Sequence, residues 1–447
     1  MNRLHAYLFR DVDIAPLALF RVVFGFLIFA EAAGALATGW VKRVLVDPEL
    51  TFPIIGFDLF QPLPGAGMYG WFAGLAVAGL LVMVGFYYRV AMAVYTVMWT
   101  VVYLMQSTHY NNHYYLLVLL CGFMLLVPAD RYFSIDARRL PGYARGRIPQ
   151  WCITIFVVKM AIVYTYAAIN KLYPDWLSGQ TIGVFFSGRT HFWLIGPLLA
   201  NETFQLLVSW GGVLFDLLIV PMMLWRRTRW LGMACMVFFH LFNSAVFHIG
   251  IFPYMMIGMA VFFFPPHQIA RFFFKGKTER FAPLDTPVSP RGKRALVAVL
   301  SAYFAVQVLL PLRHHLYDSN VNWTEEGHRM SWRMMLRGKW GHVDFHIREV
   351  ESGATYVAPE QDMLRPRQQS RVASHPRMAW QFAQYLARLY RERDGIEIEV
   401  YARGRVSLNG HELRPLIDPD RDLVAADYRF YRSSDWLLPF EQSEQSE

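Results

Sequence analysis

The sequence predicts an all-α polytopic membrane bundle of about nine transmembrane helices, with a small α+β extramembrane domain at its C-terminal end. Three observations carry this. The 447 residues are 55% hydrophobic and only 17% charged, where ordinary soluble domains carry about 25% charged residues; mean hydropathy is +0.26. The apolar residues gather in runs near the length of about 20 that a bilayer core demands. Beyond residue 314 the long runs stop, and apolar and polar residues alternate instead.

The runs lie at about 14–37, 69–86, 89–107, 113–128, 150–171, 204–224, 229–248, 250–265 and 294–313. The second and third, and the seventh and eighth, are close pairs joined by tight turns. The opening MNRLHAYLFRDVD is polar and mixed in charge, and the run after it is too long for a cleavable signal, so the first span is expected to stay as an anchor. The expected division is a transmembrane domain over 1–313, a C-terminal α+β domain over 314–440, and a disordered tail, EQSEQSE, over 441–447.

The formal net charge of +9 follows the loops. Arg3 and Arg10, Arg89, Arg131 to Arg147, Arg226 to Arg229, and Arg271 to Arg294 fall in alternate connections; the other set holds few cations, chiefly Lys42, Arg43 and Arg189. This positive-inside pattern accounts for the charge without a nucleic-acid partner, and puts the N-terminus in the cytoplasm. An odd number of spans then puts the C-terminal domain outside, in the periplasm of a bacterium, with the lipid bilayer as the main partner. Cys121, Cys152 and Cys235 all lie in apolar runs and suggest neither a disulfide framework nor a thiolate metal site.

In the tail, GHVDFHIREVESGATYVAP alternates around Ser352-Gly353 and predicts a hairpin. HPRMAWQFAQYLARLYRERDG sets Met378, Phe382, Leu386 and Leu389 on one helical face and stops at a glycine. IEIEVYARGRVSL alternates again as a strand.

Ionisable groups inside a membrane are costly, so each is a functional candidate. Three segments bring polar groups to the outer level: THYNNH (108–113), INKLYPDW (169–176), and FFHLFNSAVFHIG, where His240, Asn243, Ser244 and His248 share a helical face. Plainer readings stand beside this one. Lys171 could snorkel at its helix end, the asparagines and His113 could cap a helix start, and His240 could be an ordinary core histidine. Deeper charges include Arg21, Glu31, Lys159 and Asp216; the last two are expected near mid-membrane as a structural charge pair. His109, His113, His240 and His248 raise the question of a metal, but no carboxylate completes a catalytic zinc set nearby, and no metal is expected. Walker, Rossmann and GxSxG motifs are absent.

At these residues the chain resembles the vitamin K-dependent gamma-carboxylases and their bacterial HTTM-domain relatives. The matching stretches are YNNHYYL (110–116), IVYTYAAINKLYPDWLSG (162–179), WGGVLFDLLIV (210–220), FFHLFNSAVFHIGIFPYMMIG (238–258) and NWTEEGHRMSWRMML (322–336), spread over about residues 10–345. The resemblance implies a membrane enzyme that couples oxygenation of reduced vitamin K or a menaquinol to its 2,3-epoxide with carboxylation of a glutamyl side chain, using O2 and CO2. It implies Lys171 as catalytic base, His113 as the group that positions and polarises the quinol, and His240 as a third catalytic residue. Asn111, Asn112, Trp176, Asn243 and Ser244 are expected to contact the quinol, and Tyr114, Tyr115, Phe185, Phe186 and Phe252 are further candidates for its walls. A lysine is a base near neutral pH only where its ammonium form is disfavoured, and the outer end of an apolar helix supplies the desolvation; Asp175, four residues on, would oppose it if close.

The animal enzymes carry a longer lumenal domain than residues 314–447 provide, so the quinol half of the reaction is better supported here than the carboxylation half. The expected setting is a bacterial inner membrane, with a periplasmic peptide or protein as the glutamate-bearing partner. The alternatives are a quinol epoxidase or quinol-binding protein without carboxylation, a transporter, and a structural assembly module. A transporter fits poorly, because the polar groups gather at one leaflet and not at midplane.

Overall fold

The computed structural model describes residues 3–193, 195–247, 249–275, 289–428 and 431–440. Seven helices are long and apolar enough to cross a membrane: α1 (Ala15–Ala37), α2 (Gly67–Val84), α3 (Tyr88–Met105), α5 (Trp151–Ile169), α6 (Glu202–Leu224), α7 (Arg229–Phe247) and α9, which begins at Pro290 and runs to Leu309 before a 3-10 turn. Two further apolar helices stand where the fourth and eighth spans are expected: α4 (Asn112–Leu126) and α8 (Phe252–Phe263). At 1.5 Å per residue they reach about 22 and 18 Å, short of a hydrocarbon core of about 30 Å. The protein is a polytopic helical membrane protein, with seven candidate spans and two shorter apolar helices among the described residues.

Close packing at the start of the bundle depends on small residues. A Cβ added to Gly25 would lie 2.4 Å from the Met83 backbone, and one added to Gly79 would lie 2.7 Å from the backbone of Phe29. Glycine at both places lets α1 and α2 touch backbone to backbone, the usual means of helix association where no water drives it. The connection between α5 and α6 is folded and not a simple loop. Tyr173 turns extended ahead of Pro174, and three short helices follow among the described residues, Pro174–Leu177, Gln180–Ser187 and Gly196–Leu199.

Beyond α9 the chain builds a three-stranded antiparallel sheet in the order β4-β3-β5, with β3 (Lys339–Glu349) central, β4 (Thr355–Val357) and β5 (Ile398–Leu408). The hairpin turns through Ser352-Gly353, and Phe345 stands opposite Ala402 in the register. A two-stranded pair, β1 (Asp11–Asp13) with β2 (Arg147–Pro149), ties the N-terminal segment to the loop before α5. Helices α10 (Pro366–Ser374) and α11 (Pro376–Asp394) accompany the sheet. The apolar stripe of α11 buries Met378, Phe382 and Leu386, leaves Leu389 half-buried, and stops at Gly395 in the left-handed region. Phe345 meets Phe382 edge to face at 4.9 Å in this second core.

The C-terminal domain docks on the loop between α1 and α2. Gln368 Nε2 donates to the Leu50 carbonyl at 2.6 Å, and Gln381 Nε2 to that of Pro53 at 2.9 Å. The sheet domain therefore lies over the end of the bundle where the polar motifs gather. The expected disordered tail, 441–447, lies outside the described residues.

Candidate active site

Lys171 follows the last turn of α5, where the helix unwinds. Its amine is turned inward and forms a buried ion pair with Asp216 of α6. The Trp176 ring stands 5.2 Å from Nζ, and its indole N–H donates to the Ser209 carbonyl at 3.0 Å. This corrects the expected Lys159–Asp216 pair. Trp176 at Ser209, and Lys171 beside Gly212 and Asp216, set the end of α5 level with the middle of α6. The first two turns of α6 project past that end, so Asp216 meets the later lysine. Lys159 instead donates to Gln307 Oε1 at 2.5 Å, the one buried residue of α9 among those described, and lies under the Trp332 ring at 5.4 Å. Asp175 turns away from Lys171 and accepts from Asn409 Nδ2 at 2.9 Å and His411 Nε2 at 3.1 Å.

The Lys171 amine faces an apolar cavity of about 90 Å³ whose walls include Tyr164, Trp176, Phe185, Asp216, His240 and Phe252. His113 and Asn243 also reach it. The His113 ring stacks on Phe252 at 3.9 Å, and His240 meets the edge of the same ring at 5.8 Å. His240 Nε2 pairs with the Tyr164 hydroxyl at 2.8 Å, while its buried Nδ1 has no partner among the described residues. Buried polar nitrogens are nearly always paired, so a bare one in a cavity wall points to a ligand.

A second, larger cavity of about 900 Å³ adjoins the first on the side of the C-terminal domain. The two share His113, Phe185, Ile249, Phe252, Met334 and Met335. Among the described residues, six cations line this chamber (Arg329, Arg333, Arg337, Lys339, Arg367 and Arg371) against one carboxylate, Glu325. Arg337 grips Glu325 through two hydrogen bonds, and Lys339 Nζ stands 3.5 Å from it. These cations hold the Glu325 carboxyl well below the usual range despite its burial. Burial and the neighbouring cations push His328 and His375 well down, so both are neutral. Arg329 Nη1, Arg333 Nε and His328 Nε2 are buried with no partner among the described residues. The sequence reading reached His109, His113 and Tyr114 of this chamber but not its cations. The signal was present as Arg329, Arg333 and Arg337 at intervals of four with Lys339 beyond, the first two inside the stretch 322–336 matched only as a motif and the others just past it.

Between the cavities runs a strap of irregular backbone, residues 329–336. Met330 N–H donates to the Tyr110 hydroxyl at 2.6 Å. Asn112 Nδ2 donates to the Arg333 carbonyl at 2.8 Å and Asn170 Nδ2 to that of Ser331 at 2.9 Å. The Tyr173 hydroxyl donates to the Leu336 carbonyl. Asn112 thus spends its amide on the strap, and Asn111 caps α4 by accepting from Tyr114 N–H at 2.7 Å; neither amide is directed at the cavity beside Lys171. Ser244 lies outside both cavities and pairs with Tyr254 at 3.0 Å. Of the expected aromatic walls, Trp176, Phe185 and Phe252 line the smaller cavity and Tyr114 lines the chamber. Tyr115 packs on Trp332, and Phe186 stacks on Phe247. His248 lies outside the described residues.

A family model for the HTTM domain matches residues 9–267, and one for the vitamin K-dependent gamma-carboxylase lumenal domain matches residues 292–443. The chain belongs to the vitamin K-dependent gamma-carboxylase family. The lumenal match extends the likeness past residue 345, across the whole sheet domain. No solved structure matches the chain. Membership implies a carboxylase-type membrane enzyme with reduced vitamin K, O2 and CO2 as co-substrates.

Proposed function

We propose that this gamma-carboxylase relative oxygenates a reduced naphthoquinone in the apolar cavity and uses that reaction to carboxylate a glutamyl side chain held in the cationic chamber. One observation carries the reading: a cavity containing a buried lysine shares a wall with a chamber where six cations face one carboxylate. An apolar ring suits the first space, and a carboxylate suits the second. The overall reaction balances, with quinol and O2 giving the 2,3-epoxide and water while the γ-carbon of glutamate exchanges a proton for CO2.

Lys171 serves as the base that takes a quinol hydroxyl proton, acting as the neutral amine when the proton of the ion pair rests on Asp216, in a site screened from water. The bare His240 Nδ1 accepts from or donates to a quinol oxygen, with Tyr164 fixing its ring from the far side. His113, stacked on Phe252, lies on the boundary between the spaces and orients the ring. Arg329 and Arg333 offer free N–H groups to the glutamyl carboxylate. The loop cations support an N-terminus in the cytoplasm of a bacterium, an inner-membrane location and a periplasmic sheet domain, so the substrate is a periplasmic peptide or protein, and menaquinol is the natural quinol.

The test is turnover by the full chain in nanodiscs with reduced menaquinone or vitamin K, O2, labelled bicarbonate and a glutamyl peptide. Epoxide and label from wild type, and neither from Lys171→Ala, support the reading. Epoxide without label leaves a quinol epoxidase, and absence of both from folded protein overturns the enzymatic reading.

A further inference from the structure

The smaller cavity is too tight for its proposed occupant. Ligand pockets typically span about 300–1,000 Å³, and this one is about 90 Å³. A bicyclic ring enters only if a wall moves, and carboxylation needs the ring and a glutamyl γ-carbon to meet across that wall. Helices α4 to α8 and the folded connection between α5 and α6 supply most of it. Met334 and Met335 belong to the strap and, with His113, Phe185, Ile249 and Phe252, face both cavities.

The strap is built like a latch. It has no ladder of backbone hydrogen bonds among the described residues, and its closed position rests on surrounding side chains: Arg313 after α9, which donates to the Arg329 carbonyl, and, from the two motifs beside the site, Tyr110 and Asn112 at the start of α4 and Asn170 and Tyr173 after α5. Three of its residues, Met330, Trp332 and Met335, hold left-handed φ angles of 57, 56 and 53°, and Glu325 just before it holds 66°. Bulky side chains resist this region, so the closed form persists only because these contacts impose it. Trp332 is the bolt, fully buried between Tyr115 and Lys159.

We infer that residues 329–336 form a gate between the two cavities, and that Tyr110, Asn112, Asn170 and Tyr173 are positioning residues that hold it closed until both substrates are bound. The inference rests on the proposed two-cavity reaction. It explains why the polar motifs nearest the site bind protein backbone, and it provides a way to keep quinol oxidation from running without a carboxylation partner.

The gate is tested by cysteine accessibility in the full chain in nanodiscs. Ser331 is fully buried in the strap, and Ser331→Cys is nearly isosteric. A membrane-impermeant maleimide is expected to label it slowly. Adding reduced vitamin K with a peptide of adjacent glutamates is expected to accelerate labelling. Tyr110→Phe, which removes the hydroxyl's bonds to Met330 N–H and Asn112 Oδ1, or Asn170→Ala, which removes the bond to the Ser331 carbonyl, in the same background is expected to accelerate it roughly two- to tenfold without ligand. In the turnover assay those two variants, with Ser331 intact, should make more epoxide per carboxyl group than wild type. A labelling rate unchanged by the ligands, or an unchanged epoxide-to-carboxyl ratio in both variants, overturns the gate. Labelling that responds to quinol and peptide in a protein yielding no product keeps the gate and rejects the reaction. Tyr110→Phe retains its ring, which guards against mere misfolding.

Discussion

Lys171 and Asp216 form a buried ion pair between the end of α5 and the middle of α6. Charges at this depth are tolerated only when paired, and removing one partner of a buried pair typically costs about 3–5 kcal/mol. Lys171→Met and Asp216→Leu should each lower thermal stability in detergent by that order. The double variant should recover most of the loss while remaining without turnover. A double variant as unstable as the sum of the singles would show that the pair is energetically independent.

His240 should matter to the chemistry more than to the fold, since one of its two ring nitrogens has no partner among the described residues. His240→Ala is expected to lower quinol oxidation by about 10²-fold or more. Tyr164→Phe, which removes only the hydroxyl on Nε2, should lower it less and leave stability within about 1 kcal/mol. Equal rates in His240→Ala and wild type would reduce this histidine to a packing residue.

The chamber should bind acidic peptides with a flat pH dependence near neutral pH, up to about pH 7.5, and progressively more weakly above pH 8. Glu325, His328 and His375 are all held well below their ordinary values, so none of them changes charge near neutral pH. Desolvation, reinforced by Arg337 and Arg371 and opposed by Glu325, brings the Lys339 ammonium down to about 8, so the chamber loses a positive charge as pH rises through that value. Affinity should also fall with added salt. Peptide titrations from pH 5.5 to 9 at two ionic strengths measure both effects, and Lys339→Arg should remove the alkaline decline.

Glu325 should be the acid-sensitive point of the C-terminal domain. Its folded-state value lies below the unfolded one, so the stability it contributes is present above the unfolded value of about 4.3 and is lost as pH falls towards the lowered folded value. Glu325→Gln leaves Arg337 and Lys339 buried without their carboxylate and should cost about 3–5 kcal/mol at neutral pH. Hydrogen exchange across residues 321–345 should rise at pH 7 in the variant; protection equal to wild type would mean that the cations find other partners.

The sequence by itself determined the membrane class, the places of the apolar helices, the order of hairpin, helix and strand in the C-terminal domain, and the family. Each rests on local pattern, either the length of an apolar run, a period of two or 3.6, or a motif read in order. Lys171, His113 and His240 were legible for the same reason, as polar residues at one depth in apolar helices. Tertiary structure decided the partners. Residue counting set Asp216 level with Lys159, but α6 begins two turns beyond the end of α5, and the carboxylate meets Lys171. Asn111 and Asn112 read as ligand contacts until a cap and a strap claimed their amides. The cationic chamber depends on residues from 325–339 and 367–375 converging over the bundle, which no local period encodes. Only the docking of the sheet domain brings those distant cations together, close enough to keep the Glu325 carboxyl ionised and to leave buried Arg329 and Arg333 N–H groups with no partner among the described residues.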